Sequence, residues 1–314
     1  MGFSKMNCVK LLVAATALGM ATQSYAATKL DSGRTISSPR VTYVDKITGQ
    51  FHDVLRCGFE NPSAAERITI ESKLRQFRSS DRASLVQGVA VADRVIPVQF
   101  QVLLTNAGAG DVTDKMLADQ IAMLNSSYAG SGFQFTLKGT KRTRNTTWYN
   151  TCDKATVERQ IRQALAVDPA HTFNVYLCGL GGGLLGRATF PSYYPEGSYM
   201  HGVVILNQSV PGGSVTNYNN GRTLVHEAGH YLGLYHTFQG GCSAPGDYVS
   251  DTPQEKAPAF GLCPVQDTCP LDPGNDPTNN YMDYSYDTCL NNFTAQQKLR
   301  AQDQVSIYKP SLGH

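Results

Sequence analysis

The chain has almost no excess of charge. Over 314 residues the formal balance is only +2. That removes any compositional argument for nucleic acid or an anionic membrane as a partner. A membrane-spanning run is also missing. The apolar stretch at 11–20 falls short of the ~20 residues a spanning helix needs, and no later segment is long and apolar enough, so no membrane anchor is expected. There is no internal repeat. Histidine is scarce, at seven residues, yet three of the seven sit in "HEAGHYLGLYH" at 226–236.

What is present at the N-terminus is an export signal. Lys5 and Lys10 precede the apolar stretch, and "QSYA" follows, with small Ser24 and Ala26 at the −3 and −1 positions. These are the three regions of a secretory signal peptide, expected over 1–26. A secreted protein meets an oxidising compartment, so its cysteines read as disulfide material. Of eight, Cys8 leaves with the leader and seven remain, an odd number.

Residues 27–94 form a segment of their own, rich in Arg and Ser. Ser63 and Glu66 make a capping box, and Ile70, Leu74 and Phe77 follow at helical spacing. The polar, basic "RQFRSSDR" then reads as an exposed, cleavable linker, with a cut near 78–79. From Val95 the period changes to two. Strands are expected at 95–104, 133–137, 173–178 and 202–207, with helices opened by Thr113 and Asp153 and a further one after Gly221. This interleaving describes an α/β domain with a mixed sheet over 95–314. Residues 239–292 lack periodicity and hold four cysteines, so cross-links must organise them. Thr294 with Gln297 opens a last helix.

The histidine cluster carries the chemistry. His226 and His230, four apart, share one helix face and can reach one zinc ion. Glu227 lies beside the metal, placed to take a proton from a water held there. On an unbroken helix His236 would stand ~15 Å along the axis from His226. It joins the site only if the chain turns back, and Gly233 permits that turn because glycine accepts positive φ. Three imidazoles leave a fourth zinc position open, as catalysis requires. A closed structural site would need a fourth protein ligand and would have no use for Glu227.

The pattern H-E-x-x-H-x-x-G-x-x-H resembles the metzincin metallopeptidases, and "NYMDYS" at 280–285 resembles their methionine turn. "LLGRATFPS", "HGVVILNQSVPGG", "GRTLVHEAGHYLGLYHTFQGGC" and "DYVSDTP" are similar to the pappalysin family within them. The resemblance covers about 95–305. It implies a two-lobed catalytic domain, a mostly parallel mixed sheet with helices above it, and an irregular disulfide-linked C-terminal subdomain. It further implies Met282 as the floor under the histidines and Tyr284 as a phenol stabilising the oxyanion. "LLGRATF" would be the rim strand that binds extended substrate. The resemblance pairs Cys242 with Cys269 and Cys263 with Cys289. It also places Asp247, Asp251 and the Thr252 carbonyl where such proteins can hold calcium, with a solvated acidic loop as the alternative. Asp283 and Asp287 would flank the pocket for the residue after the scissile bond and could favour a basic one there, although Thr288 is uncharged. Cys152 with Cys178 follows from arithmetic alone.

Cys57 is then left over, in "LRCGFENPS". A thiolate is a good zinc ligand, and Cys57 in the open position would keep a precursor inactive, its own pro-segment acting as inhibitor. The "RCG" tripeptide resembles the pro-segment motif of the same family; an unpaired or dimer-forming cysteine is the alternative. The expected function is a secreted zinc endopeptidase made as a latent precursor, acting on proteins or peptides. The rival is a catalytically inactive protease fold serving as a binding or adhesion module.

Overall fold

The alternation at 95–104 builds the centre of the sheet. Ile96, Val98, Phe100 and Val102 are completely buried on one face, and Leu103 on the other. A strand covered on both faces belongs inside an α/β sheet. We describe this fold from a computed structural model that describes residues 23–29, 35–44, 51–80 and 93–314. The expected leader therefore lies outside the described residues up to position 22. No helix among the described residues is long and apolar enough to cross a membrane.

Three strands come first: β1 (Gln23–Lys29), β2 (Thr35–Val44) and β3 (Phe51–Val54) form an antiparallel sheet in that order. Helix α1 (Ala64–Ser80) follows. Its start is the expected capping box, with Ser63 N donating to Glu66 Oε2 and Glu66 N to Ser63 Oγ. Ile70 and Leu74 are buried. The linker reading needs correction here. The helix runs through Arg78 and Ser79 to Ser80, because Arg78 Nε pairs with Asp303 at 2.7 Å and holds a polar turn in place. Residues 81–92, the rest of the expected linker, lie outside the described residues.

The main sheet has the order β5-β4-β6-β8-β7. Its strands are β4 (Arg94–Leu104), β5 (Phe133–Arg144), β6 (Phe173–Cys178), β7 (Gly186–Ala188) and β8 (Val203–Leu206). All neighbours are parallel except β7, which runs antiparallel to β8 at the edge. Phe173, Val175 and Leu177 of β6 face one core and Tyr176 and Cys178 the other.

Helices α2 (Asp114–Ser127) and α5 (Arg222–Tyr231) cover the first face. Thr113 caps α2 by accepting from Met116 N, and Tyr128 just past α2 donates to Val225 O of α5 at 2.9 Å. The second face carries α3 (Thr146–Thr151) and α4 (Ala155–Leu165), so helices lie on both sides of the sheet. Helix α3, capped by Asn145, was not anticipated, and α4 opens after Lys154 rather than at Asp153. A Cys152–Cys178 disulfide ties this pair to β6.

Past α5 the chain is irregular until α6 (Ala295–Tyr308), which opens with a full Thr294–Gln297 capping box. Two disulfides, Cys242–Cys269 and Cys263–Cys289, cross the irregular segment. Such links typically contribute about 2–4 kcal/mol each, and here they stand in for a periodic apolar face.

Candidate active site

Helix α5 presents His226 and His230 on one face and stops at Tyr231. Gly233 has φ +97, and its missing side chain leaves room for Gln304, into which a Cβ would run at 2.6 Å or less. The chain reverses there and brings His236 back. The three Nε2 atoms stand 3.0–3.2 Å apart, all buried. Nδ1 of His226 donates to Tyr281 O at 2.7 Å, and Nδ1 of His230 to Leu234 O at 2.8 Å. Those donations fix the tautomer and leave the Nε2 lone pairs bare. Burial pushes His230 down to about 3, and burial with the neighbouring imidazoles lowers His226 and His236 as well. Three neutral nitrogens aimed at one another repel unless a cation lies between them. Ligands ~2.0 Å from a tetrahedral zinc would stand roughly 3.3 Å apart, so the donor set fits that ion.

Glu227 is fully buried, and its carboxyl faces the Cys57 thiol. Burial pushes its carboxyl up to about 8, against the pull of Cys57, Arg56 and Arg187. The rim strand gives it room: a Cβ on Gly186 would lie 2.7 Å from Glu227 Cγ. A buried carboxylate beside a trio of metal ligands can accept and return a proton.

Met282 is fully buried behind the zinc helix. Its sulfur occupies the space a side chain at Gly229 would need. The turn that carries it is pinned by Asn280, whose Oδ1 accepts from Met282 N at 2.9 Å. Asn280 in turn exchanges two hydrogen bonds with Gln297, the capping-box residue of α6. Asn280 was missed in the sequence, since an asparagine in an irregular loop carries no periodic signal. Tyr284 is buried, with its hydroxyl 3.2 Å from His236 Nε2.

The N-terminal segment enters the same space. Leu55 N donates to Gly183 O, Leu185 N to Leu55 O and Gly58 N to Gly186 O, so the segment runs parallel to the rim. This delivers Cys57 to the histidines; its sulfur and the three ligand nitrogens lie within 4.8 Å of one another. Burial, then the Glu227 charge, pushes the thiol well up. Gly58 packs on Leu184, where a Cβ would sit at 3.1 Å. Arg56 and Phe59 on either side are buried too, and neither was singled out from the sequence. Arg56 Nη1 meets Asp287 Oδ1 at 2.9 Å, with its guanidinium 5.0 Å from the Tyr218 ring.

The acidic residues separate. Asp287 also accepts from Asn220 N and Arg222 N at the start of α5. Asp283 does not share that pocket: its Oδ1 accepts from Ala259 N and Tyr284 N. Asp247 Oδ1 accepts from Val249 N and from the Thr252 hydroxyl. Asp251 stands apart from them, its two oxygens taken by Thr294 Oγ1 and Gln296 N at the head of α6. Among the described residues, the Cys57–histidine group is the one place where three or more such ligands converge.

The peptidase family model described as pregnancy-associated plasma protein-A matches residues 153–306. An extracellular metalloprotease of Colletotrichum graminicola is 40% identical over 81% of this chain and 90% of its own length. One of Neurospora crassa is 40% identical over 81% and 88%. Among solved structures, mature mirolysin of Tannerella forsythia, in complex with a cleaved peptide, is 25% identical. It superposes with a TM-score of 0.61 over 72% of this chain and 100% of its own. A promirolysin variant of the same organism is 24% identical with a TM-score of 0.64, over 82% and 99%. At that identity it speaks for the fold alone.

The packing of Met282 on Gly229 predicts a specific lesion. Gly229→Ala should cost about 1–3 kcal/mol of stability, the usual range for overpacking, and should lower zinc content. Met282→Ala in the same chain should recover part of both. Thermal melts and metal analysis of the two variants check this.

Proposed function

The chain belongs to the pregnancy-associated plasma protein-A family of metallopeptidases, and from that premise we propose that it is a secreted zinc endopeptidase, made as a latent precursor, that cuts ahead of arginine. The convergence of three Nε2 atoms beside the buried Glu227 carboxyl carries the catalytic reading. His226, His230 and His236 would hold the zinc. When bound there, zinc lowers the pKa of water towards ~7 and polarises the carbonyl under attack.

The chain's own groups do the rest. Glu227 takes the proton of the attacking water and returns it to the leaving amine. Tyr284, beside His236, donates from its phenol to the oxyanion as charge develops. The Tyr281 carbonyl holds the His226 ring in place, and Met282 backs the helix at Gly229. The alternative of an inactive binding module finds no support in a site that keeps Glu227. Residues 1–26 act as the export leader and 27–94 as the pro-segment. A cut near 78–79 requires the last turn of α1 to open, because peptidases bind extended chain. Calcium is kept on the Asp247–Thr252 side of its loop, where Asp247 Oδ2 is buried without a partner. It is not extended to Asp251, which caps α6.

Specificity is supported by the inhibitor itself. Arg56 reaches a pocket where Asp287 is the facing charge, which is the behaviour expected of a substrate arginine. Latency is supported by Cys57 at the fourth corner of the histidine group.

Glu227→Gln should keep zinc and lose about 10²–10⁴-fold in turnover; a variant cleaving at the wild-type rate would remove Glu227 from the reaction. Asp287→Asn should cut kcat/KM for peptides with arginine after the bond by about 30-fold or more, with little change for peptides carrying leucine there. For latency, the cobalt-loaded precursor should show sulfur-to-cobalt charge-transfer absorption that Cys57→Ser abolishes. Its absence from the wild-type precursor would show that Cys57 is not the latch.

A further inference from the structure

Phe59 has no part in the reading given so far, yet it is completely buried in the cleft. Its ring lies flat on His230, with centroids 4.0 Å apart and planes 4° apart. It meets His236 edge-on at 5.8 Å. Beyond it, Tyr193 lies near-parallel at 6.5 Å, and Phe190 closes the side at 5.6 Å. Phe190 is itself backed by Tyr235, stacked at 5.2 Å. The rings that touch Phe59 all belong to the catalytic domain, while Ile70 and Leu74 of the pro-segment helix complete the same apolar cluster. Tyr193 also receives the segment's backbone, its hydroxyl donating to Glu60 O.

The position of the slot follows from the order Arg56–Cys57–Gly58–Phe59. Cys57 stands at the metal ligands. Arg56 and Phe59 therefore lie on opposite sides of the reacting centre. With the Asp287 pocket taken for the residue after the scissile bond, the Phe59 slot receives a residue before it. We propose that, in the enzyme freed of its pro-segment, this slot is a subsite for an aromatic side chain on the amino-terminal side of the scissile bond. Recognition is then bipartite, an aromatic before the bond and an arginine after it. The proposal rests on the endopeptidase reading above.

The chemistry of the walls selects an aromatic over a branched aliphatic. The slot is bounded by two near-parallel rings, so a flat group fits where a leucine would not fill it evenly. An imidazole that holds a dication is electron-poor, and the electron-rich face of a phenyl or phenol ring is its complement. A carboxylate there would be buried against ring faces, which stabilise a negative charge poorly. The pro-segment runs parallel to the rim whichever way a substrate runs, but the stacking contacts on Phe59 are made to its ring and not to its backbone. A side chain delivered by a chain of either direction can use it.

The test uses the mature enzyme and quenched-fluorescence peptides with arginine fixed after the bond. Each of the three positions before the bond is varied among Phe, Tyr, Leu, Ala and Glu. At one position Phe and Tyr should exceed Ala by roughly ten- to hundredfold in kcat/KM, with Leu between and Glu below Ala. Tyr193→Ala should bring that ratio towards one, and Tyr193→Phe should keep it. Equal cleavage at all three positions, with arginine selection intact, would overturn the subsite and leave the endopeptidase standing. An aromatic preference that Tyr193→Ala does not change would also overturn it, since the slot would then lie elsewhere. No cleavage of any peptide would sink the endopeptidase reading and the subsite together.

Discussion

Three lone pairs, buried and turned on a common point, are the constraint around which this molecule is arranged. Unpaired polar atoms in an interior are costly, and facing ones repel. The geometry must therefore be imposed from outside until a cation offsets it. The Tyr281 and Leu234 carbonyls hold two rings by their far nitrogens. Gly233 supplies the reversal, and Gly229 admits the sulfur that backs the helix. Even the capping box of α6 takes part, since Gln297 grips Asn280 and Asn280 grips the turn beneath His226. A helix start some seventy residues downstream is thus mechanically joined to a metal ligand.

The N-terminal segment grips the same framework. Glu71 of α1 forms a two-pronged, buried pair with Arg300 of α6, whose Nε also donates to Gly233 O at the turn before His236. Arg78 pairs with Asp303 one turn further on. Cutting the chain would not by itself undo these contacts. Breaking one partner from a buried pair costs about 3–5 kcal/mol in general. The N-terminal segment and the sheet domain therefore share a stabilising core, and on the proposed latency release would be a separate event from the cut.

Legibility in the sequence followed the range of the signal. Caps at Ser63, Thr113 and Thr294 act within three residues and were readable. So were the strands of period two and the histidine spacing, which encodes its own geometry. Arg78 looked like linker because nothing nearby shows that Asp303 will hold it. Asp283 and Asp287 looked alike because an irregular loop has no phase to tell inward from outward. Arg56 and Phe59 were invisible for a deeper reason. The partner of Arg56 is 231 positions away, and an irregular stretch of chain has no periodicity to mark which side chains turn inward.

The short antiparallel edge strand β7 has one further consequence. Unpaired sheet edges invite pairing between molecules, and proteins ordinarily hide or blunt them. Leu55 and Gly58 occupy the backbone groups of the rim at Gly183, Leu185 and Gly186. That edge is therefore already paired by the chain's own N-terminal segment. With the segment removed, the open length would be the three residues Gly186–Ala188 and their approach. That is too short to zip two enzyme molecules into a continuous sheet, yet long enough to set the register of one passing chain. On the proposed endopeptidase reading, the strand's brevity would make an aggregation hazard into a reader of single, extended polypeptides.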